Sequence, residues 1–332
     1  MTASPKNTSP LYFNSYLAPL KPYLEQADIT DIYVNRPGEL WTESQTGIIA
    51  RHDAPALDAL MLERLARQIA AWSHQGISRE HPLLAATLPD GSRIQIVAPP
   101  ASRSALVLAI RKHVVSDRTL AQLSDAGVFS EAHGSLGGIA LDVDARLEKL
   151  LQAGDFSALL SAAVRARKNI IIAGGTSTGK TTFLNALISE IPDDERLLLI
   201  EDTPELKLSH ANAVGLVAAR SVLGEATVTT DDLLSAALRM RPDRIILGEL
   251  RGEEAYTFLR AINTGHPGSM TTVHADSPAR AIEQIALLVL QTGTRLARDD
   301  VDHYIRDTVD VYVQLTREAG RRRVSEIRLR PH

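Results

Sequence analysis

A glycine-rich run with one lysine and four hydroxyl residues is the part of this sequence best suited to chemistry. Residues 174–181 read Gly-Gly-Thr-Ser-Thr-Gly-Lys-Thr and fit the pattern GxxxxGK[ST]. In such a run, glycines let consecutive backbone N–H groups turn toward an anion, and the positive end of a following helix adds to the attraction. An apolar stretch precedes the run at residues 169–173, and a helical pattern follows it. The sequence therefore predicts a P-loop that binds a nucleoside triphosphate.

The residue types in this loop predict separate roles. Lys180 can reach the β- and γ-phosphates as a mobile point charge, and the Thr181 hydroxyl can bind Mg²⁺. We expect the nucleotide to be held by the whole loop and the first turn of the helix, namely Gly174, Gly175, Thr176, Ser177, Thr178, Gly179, Lys180, Thr181 and Thr182.

Two carboxylates that follow apolar runs are candidates for the hydrolytic chemistry. Glu249 follows the run at residues 244–247, and Glu201 follows residues 197–200. Acids at the carboxyl edge of a parallel sheet can hold Mg²⁺ or polarise the attacking water. We predict this role for Glu249, with the capping of the next helix as the alternative. On its position alone, Glu201 could equally be a structural acid.

Histidines and arginines complete the candidate site. Residues 264–275 combine His266 and His274 with glycines and hydroxyls, and could form a turn that senses a phosphate. Arginines that could neutralise the charge developing during phosphoryl transfer are Arg93, Arg111, Arg239, Arg241 and Arg251. Each of them alone could be a surface charge, and such arginines often come from a neighbouring subunit or domain.

Composition limits the class of protein. The net charge of −4 gives no support for general nucleic-acid binding, and the lack of cysteine excludes disulfides and cysteine-bound metals. No stretch approaches 18 apolar residues, and the first ten residues lack the apolar core of a signal peptide. We therefore expect a cytoplasmic protein whose contact with a membrane, if any, is peripheral.

The length of 332 residues and the change in pattern along the chain predict two domains. Residues 1–113 alternate short strands with helical patterns and indicate a small α+β domain. Residues 114–142 are polar and glycine-rich, as is typical of a linker. Residues 143–332 alternate helices with apolar strands, which predicts a doubly wound α/β P-loop domain.

Four ordered boxes resemble the traffic ATPases of bacterial type IV secretion systems, within the larger family of hexameric secretion and pilus motor ATPases. The boxes are the P-loop, an acidic box at residues 200–203, a Walker B variant at 246–252, and a histidine box at 264–275. Segments 31–39 and 91–100 look like the N-terminal domain of the type IV branch. The type II branch typically carries a four-cysteine zinc module, for which this chain has no cysteine.

The resemblance implies a RecA-like P-loop domain preceded by a smaller α+β domain that closes over ATP and Mg²⁺. It implies a homohexamer on the cytoplasmic face of the inner membrane, which works with other secretion ATPases and inner-membrane components without sequence-specific nucleic-acid binding. Arg93 and Arg111 fall where the type IV branch has arginines that reach the phosphates. The expected catalytic residues are Lys180, Glu201, Glu249, His274, Arg239 and Arg251, and the expected metal-site residues are Thr181, Glu201 and Glu249.

Other functions stay open at the level of sequence. A related pilus assembly or retraction ATPase would share the four boxes. A P-loop kinase would transfer phosphate to an acceptor, and a nucleotide-regulated assembly scaffold would bind ATP with little turnover. The basic stretch at residues 317–330 is expected to be a solvated or subunit-facing surface, with contact to anionic lipid headgroups as the alternative.

Overall fold

Two β-sheets organise the chain. The computed structural model describes residues 15–103, 105–113, 124–125, 142–219 and 225–330. The predicted linker falls mostly outside these residues, so the domain boundaries at 113 and 142 stay predictions.

The first sheet is antiparallel and is built from the N-terminal third of the chain. Its described strands are β1 (Ile29–Val34), β2 (Gly38–Ser44), β3 (Ile49–Ala54), β4 (Leu83–Thr87), β5 (Arg93–Val97) and β6 (Val107–Arg111), in the spatial order β3-β2-β1-β6-β5-β4. Helices α1 (Lys21–Leu24) and α2 (Ala59–Trp72) lie on one face. The Asp58 carboxylate caps α2 by accepting a hydrogen bond from the Met61 backbone N–H.

The second sheet is parallel except for one edge strand. Its described strands are β7 (Ile170–Gly174), β8 (Leu197–Glu201), β9 (Ala213–Val217), β10 (Arg244–Leu250), β11 (Met270–Val273), β12 (Val311–Glu318) and β13 (Arg321–Leu329), in the order β13-β12-β7-β11-β10-β8-β9. Only β13 pairs antiparallel among them. The short strand β11 lies inside the predicted histidine box, where the sequence suggests only a turn. It has four residues, all buried, and therefore shows no alternation of polar and apolar side chains.

Helices cover both faces of this second sheet, as the doubly wound prediction requires. Helices α3 (Asp142–Ala153), α4 (Phe156–Arg165) and α5 (Lys180–Ile188) lie on one face, and α6 (Thr230–Ala237), α7 (Glu254–Asn263), α8 (Pro278–Gln291) and α9 (Arg298–Thr308) lie on the other. Strand β7 serves both faces, because Ile170 and Ile172 pack on the first group of helices while Ile171 and Ala173 pack toward the second.

The two sheets share one apolar core. Tyr33, Val107 and Ala109 of the first sheet belong to the same buried cluster as Leu198 and Leu216 of the second. Alternation along the strands explains this arrangement, because Ile32 and Leu108 face the helices of the first sheet instead.

A buried polar network reinforces the contact between the sheets. The Arg196 guanidinium lies 4.0 Å from the centre of the Tyr33 ring and donates hydrogen bonds to the side-chain oxygens of Asn35 (2.8 Å) and Asn212 (2.6 Å). Arg241 pairs with Glu43 at 2.5 Å. These contacts join the β1–β2 end of the first sheet to the amino ends of β8, β9 and β10.

Candidate active site

The P-loop connects β7 to α5, as the sequence predicts. Gly179 is the N-cap of α5 and has a φ of +95°, a left-handed conformation that favours glycine. The loop borders a cavity of about 410 Å³ at the carboxyl edge of the sheet. The cavity is lined by loop and helix residues 177–182, by Glu201, Asp202, Thr203 and Glu205, by Gly248, Glu249 and Arg251, and by Thr272 and Arg322.

Lys180 folds over the loop that precedes it. Its ammonium group donates hydrogen bonds to the carbonyl oxygens of Gly174 (2.9 Å) and Gly175 (3.2 Å), and lies 3.9 Å from Glu249 Oε1. Burial lowers the pKa of Lys180, while the Glu249 carboxylate opposes that shift. The lysine is thus a cation held at the P-loop, where it would lie beside a bound β- or γ-phosphate.

Glu249 is the centre of a network of charged side chains. Its Oε1 lies 2.9 Å from His274 Nε2, and its Oε2 accepts a 2.6 Å hydrogen bond from Arg251 Nε. Arg251 also donates to Asp202 at 2.6 Å. Although burial opposes it, the two carboxylates raise the pKa of Arg251. The network brings together three of the predicted catalytic side chains, those of Glu249, His274 and Arg251.

Glu201 is held more rigidly than Glu249. Its Oε1 accepts backbone hydrogen bonds from Glu205 (3.0 Å) and Leu206 (2.8 Å), and its Oε2 contacts the Arg103 guanidinium of the first sheet's last loop. Gly248 permits this packing, because a Cβ there would lie 3.1 Å from Glu201 Cγ. Glu201 therefore has a structural role beside any catalytic one.

The residues around the cavity suit magnesium. The Thr181 hydroxyl and the carboxylates of Glu201 and Glu249 line the cavity together, and Mg²⁺ prefers such oxygen ligands. No group of three or more histidine or acidic side chains able to hold a metal occurs in the described part of the chain. Phosphate oxygens and water would have to complete the coordination, as is usual for Mg²⁺ bound with a nucleotide.

The chain does not bring every predicted arginine to this cavity. Arg93 and Arg111 are cross-strand partners in the first sheet, and Arg111 pairs with Asp31 at 3.0 Å. Burial lowers the pKa of His266, and Arg241 and Arg111 lower it further, so Arg111 lies near that histidine.

His266 marks the far end of the sheet. Its Nδ1 lies 2.9 Å from the carbonyl oxygen of Pro242, two residues before β10. Glu249 lies near the other end of that strand, about 17 Å from its first residue, Arg244, at 3.3 Å per residue. The exposed Arg239 precedes β10 at the same far end. Arg93, Arg111, Arg239 and His266 are therefore not lining residues of this chain's own cavity.

Sequence reasoning missed two arginines at the site. Arg103 contacts Glu201, and Arg322 donates a 3.1 Å hydrogen bond from Nε to the carbonyl oxygen of Ser177. Arg103 is distant in sequence from every box. Arg322 belongs to the basic stretch that the sequence assigned to an outer surface.

Comparisons with known proteins agree with the family that the four boxes resemble. A family model described as "Type II/IV secretion system protein" matches residues 143–326. The chain is similar to the type IV secretion system protein VirB11 of Bartonella quintana (strain Toulouse), at 40% identity over 94% of this chain and 91% of the relative. It is also similar to the type IV secretion system protein PtlH of Bordetella pertussis (strain Tohama I), at 40% identity over 94% and 93% of the two chains.

A solved structure resembles the whole fold. The VirB11 ATPase from the Brucella suis type IV secretion system, in complex with sulphate, matches with a TM-score of 0.90 and 38% identity over 96% of this chain and 94% of that chain. The predicted fold class, a RecA-like P-loop domain preceded by a smaller α+β domain, is thereby confirmed.

Proposed function

This chain belongs to the type II/IV secretion system protein family and is an ATPase of the type IV secretion kind, and we propose that it is a Mg²⁺-dependent homohexameric motor. Hydrolysis in this motor powers pilus assembly or substrate transfer across the bacterial envelope. The observation that carries the proposal is the cavity that joins Lys180 and Thr181 of the P-loop to Glu249 and its network. The sulphate in complex with the Brucella suis ATPase is a phosphate-like anion and agrees with an anion site in this family.

The side chains around the cavity have separate roles in the proposed hydrolysis. The backbone N–H groups of the loop and the Lys180 ammonium bind the phosphates of ATP. When bound, Mg²⁺ neutralises phosphate charge, and Thr181 with one of the two glutamates would hold it. Glu249 orients the attacking water and accepts its proton, because one of its oxygens faces Lys180 and His274. Arg251 holds the other oxygen.

Glu249 is the better candidate for the general base than Glu201. One oxygen of Glu201 accepts hydrogen bonds from two backbone N–H groups, and the other contacts Arg103. A carboxylate that is fixed in this way is poorly placed to take a proton from water. Glu201 positions the acidic box instead. Glu249 is held by side chains only, and its Oε1 has the movable side chains of Lys180 and His274 beside it.

The first experiment measures release of free phosphate by the purified full chain. Lys180→Ala and Glu249→Gln should each lower kcat by about 10²- to 10⁴-fold. Lys180→Ala removes a cation that binds the phosphates, and Glu249→Gln removes the general base. Glu253→Gln is the control, since that carboxylate is exposed and lies four residues from Glu249. Full activity in both test variants would refute the proposed mechanism, and a phosphorylated acceptor without free phosphate would indicate a kinase.

We propose a peripheral position on the cytoplasmic face of the inner membrane, beside the other components of the secretion system. Among the described residues, no helix is both long enough and apolar enough to span a bilayer. The arginines at residues 321–323 are a poor basis for lipid contact, because Arg322 contacts the P-loop and Arg323 pairs with Glu318. We expect no sequence-specific binding of nucleic acid.

A further inference from the structure

The C-terminal hairpin reaches over the P-loop. Strand β12 runs parallel to β7 and pairs with it as far as Leu315, which lies opposite Gly174. Beyond that point β12 and β13 continue as a two-stranded hairpin, in which Arg322 pairs with Arg317. The hairpin therefore projects past the end of β7, on the side where the P-loop begins.

From this position, the Arg322 side chain contacts the P-loop. Its Nε donates to the carbonyl oxygen of Ser177 at 3.1 Å, and a Cβ built on Gly179 would lie 3.2 Å from its Cδ. The arginine stem thus lies against the glycine that begins α5. The same side chain lines the cavity with Lys180 and Glu249.

The charges around the cavity single out Arg322. The cavity is lined by three cationic side chains and four carboxylates. The cations are Lys180, Arg251 and Arg322, and the carboxylates are Glu201, Asp202, Glu205 and Glu249. Lys180 lies near Glu249, and Arg251 pairs with both Glu249 and Asp202. Arg322 forms no ion pair within 4.0 Å with any residue that the structure describes.

We propose that Arg322 is a nucleotide-binding residue that contacts the polyphosphate chain of the bound nucleotide. The inference rests on the proposed ATPase function. A cavity lined by excess carboxylate repels a triphosphate, and an arginine without a carboxylate partner supplies the charge that offsets this repulsion. The hydrogen bond from Nε fixes the guanidinium, so that its terminal nitrogens are available for phosphate oxygens.

The test compares substitutions at Arg322 with one at its neighbour. Arg322→Ala should raise KM for ATP and the Kd for a fluorescent ADP analogue by about three- to tenfold, with kcat changed less than about twofold. Arg322→Lys should recover part of the affinity, because it restores the charge, and Arg322→Gln should not. Arg321→Ala removes the same charge from the same strand, but its side chain points to the opposite face, so it should behave as the unchanged protein.

The salt dependence of binding separates a contact to the phosphates from packing against the adenine ring of the nucleotide. The difference in ADP affinity between the unchanged protein and Arg322→Ala should shrink as salt rises. Equal affinities in Arg322→Ala and Arg321→Ala, or binding by Arg322→Gln equal to that of the unchanged protein, would overturn the inference. An unchanged protein that binds the ADP analogue without hydrolysing ATP would refute the proposed function, while the same titrations would still decide the role of Arg322.

Discussion

At the scale of single residues, the two glutamates of the site show how environment separates identical side chains. Glu249 lies beside the side chains of Lys180 and His274, whereas Glu201 is fixed by two backbone N–H groups and by Arg103. Sequence placed both acids at strand ends and favoured Glu249 for the hydrolytic site, but it left open which of them is the general base. Their partners rank them, because the backbone N–H groups that hold Glu201 stay in place, whereas the side chains of Lys180 and His274 can turn to the phosphates and leave Glu249 Oε1 to water.

The ranking predicts different results for the same chemical change. Glu201→Gln should lower kcat by about five- to tenfold, far less than the loss of about 10²- to 10⁴-fold expected for Glu249→Gln. It should destabilise the protein more, by about 1–3 kcal/mol, because it leaves the half-buried Arg103 without its carboxylate. Phosphate-release kinetics and thermal unfolding of both variants check the prediction. A larger kcat loss in Glu201→Gln than in Glu249→Gln would show that Glu201 is the general base.

At the scale of elements, the histidine box is divided between two ends of the sheet. Strand β11 runs between the segments that carry the two histidines, so His274 lies beside Glu249 while His266 lies beside Pro242 at the amino end of β10. Sequence grouped the two histidines because they are close along the chain. A strand inserted between them carries them apart, about 3.3 Å for each residue.

The position of His266 predicts an effect of pH on stability. Burial lowers its pKa below the ordinary value of 6.5, and Arg241 and Arg111 add to this shift, while the hydrogen bond to the Pro242 carbonyl and the Asp243 carboxylate oppose it. Below about pH 6.5 the unfolded chain therefore binds more protons than the folded chain at this site, and stability falls as pH falls.

Thermal unfolding between pH 7.5 and 5.5 checks this prediction. The Tm of His266→Asn should fall less steeply with pH than that of the unchanged protein, because asparagine can still donate to the Pro242 carbonyl and does not titrate. His81→Asn, at an exposed position, is the control and should follow the unchanged protein. If Tm falls equally with pH in all three proteins, His266 does not contribute to the pH dependence of stability.

At the scale of the whole molecule, the packing of the first sheet holds Arg93 and Arg111 away from the P-loop cavity of their own chain. The shared apolar core and the Arg196–Tyr33 contact hold β1 and β2 against the amino ends of β8 and β10. Arg93 and Arg111 therefore do not line this chain's cavity. If these arginines serve catalysis, as the family resemblance implies, they must act on a neighbouring copy in the proposed ring.

Mixed rings test this arrangement. Lys180→Ala and Arg93→Ala should each be inactive alone, and co-expression in equal amounts should restore activity, because about a quarter of the sites would combine an intact P-loop with a neighbour's Arg93. Rings that combine Lys180→Ala with the Lys180→Ala, Arg93→Ala double variant contain no intact P-loop and are the control. No recovery in the mixed rings would mean that Arg93 does not act on a neighbour.

The sequence by itself determined the P-loop, both acids, the order of the boxes and the alternation that specifies each sheet. These features are local, because a phosphate loop needs its glycines and lysine at fixed spacing and a strand needs its period of two. From them the fold class and the centre of the site, Lys180 with Glu249, could be predicted.

Only the tertiary structure decided which distant side chains meet that centre. Arg103 lies about a hundred residues from Glu201, and Arg322 lies 145 residues from Ser177, and no local pattern encodes either contact. The same packing placed Arg93 and Arg111 at the far end of the sheet from this chain's own cavity. Such contacts depend on how two sheets and a C-terminal hairpin pack together, which composition and spacing along the chain do not specify.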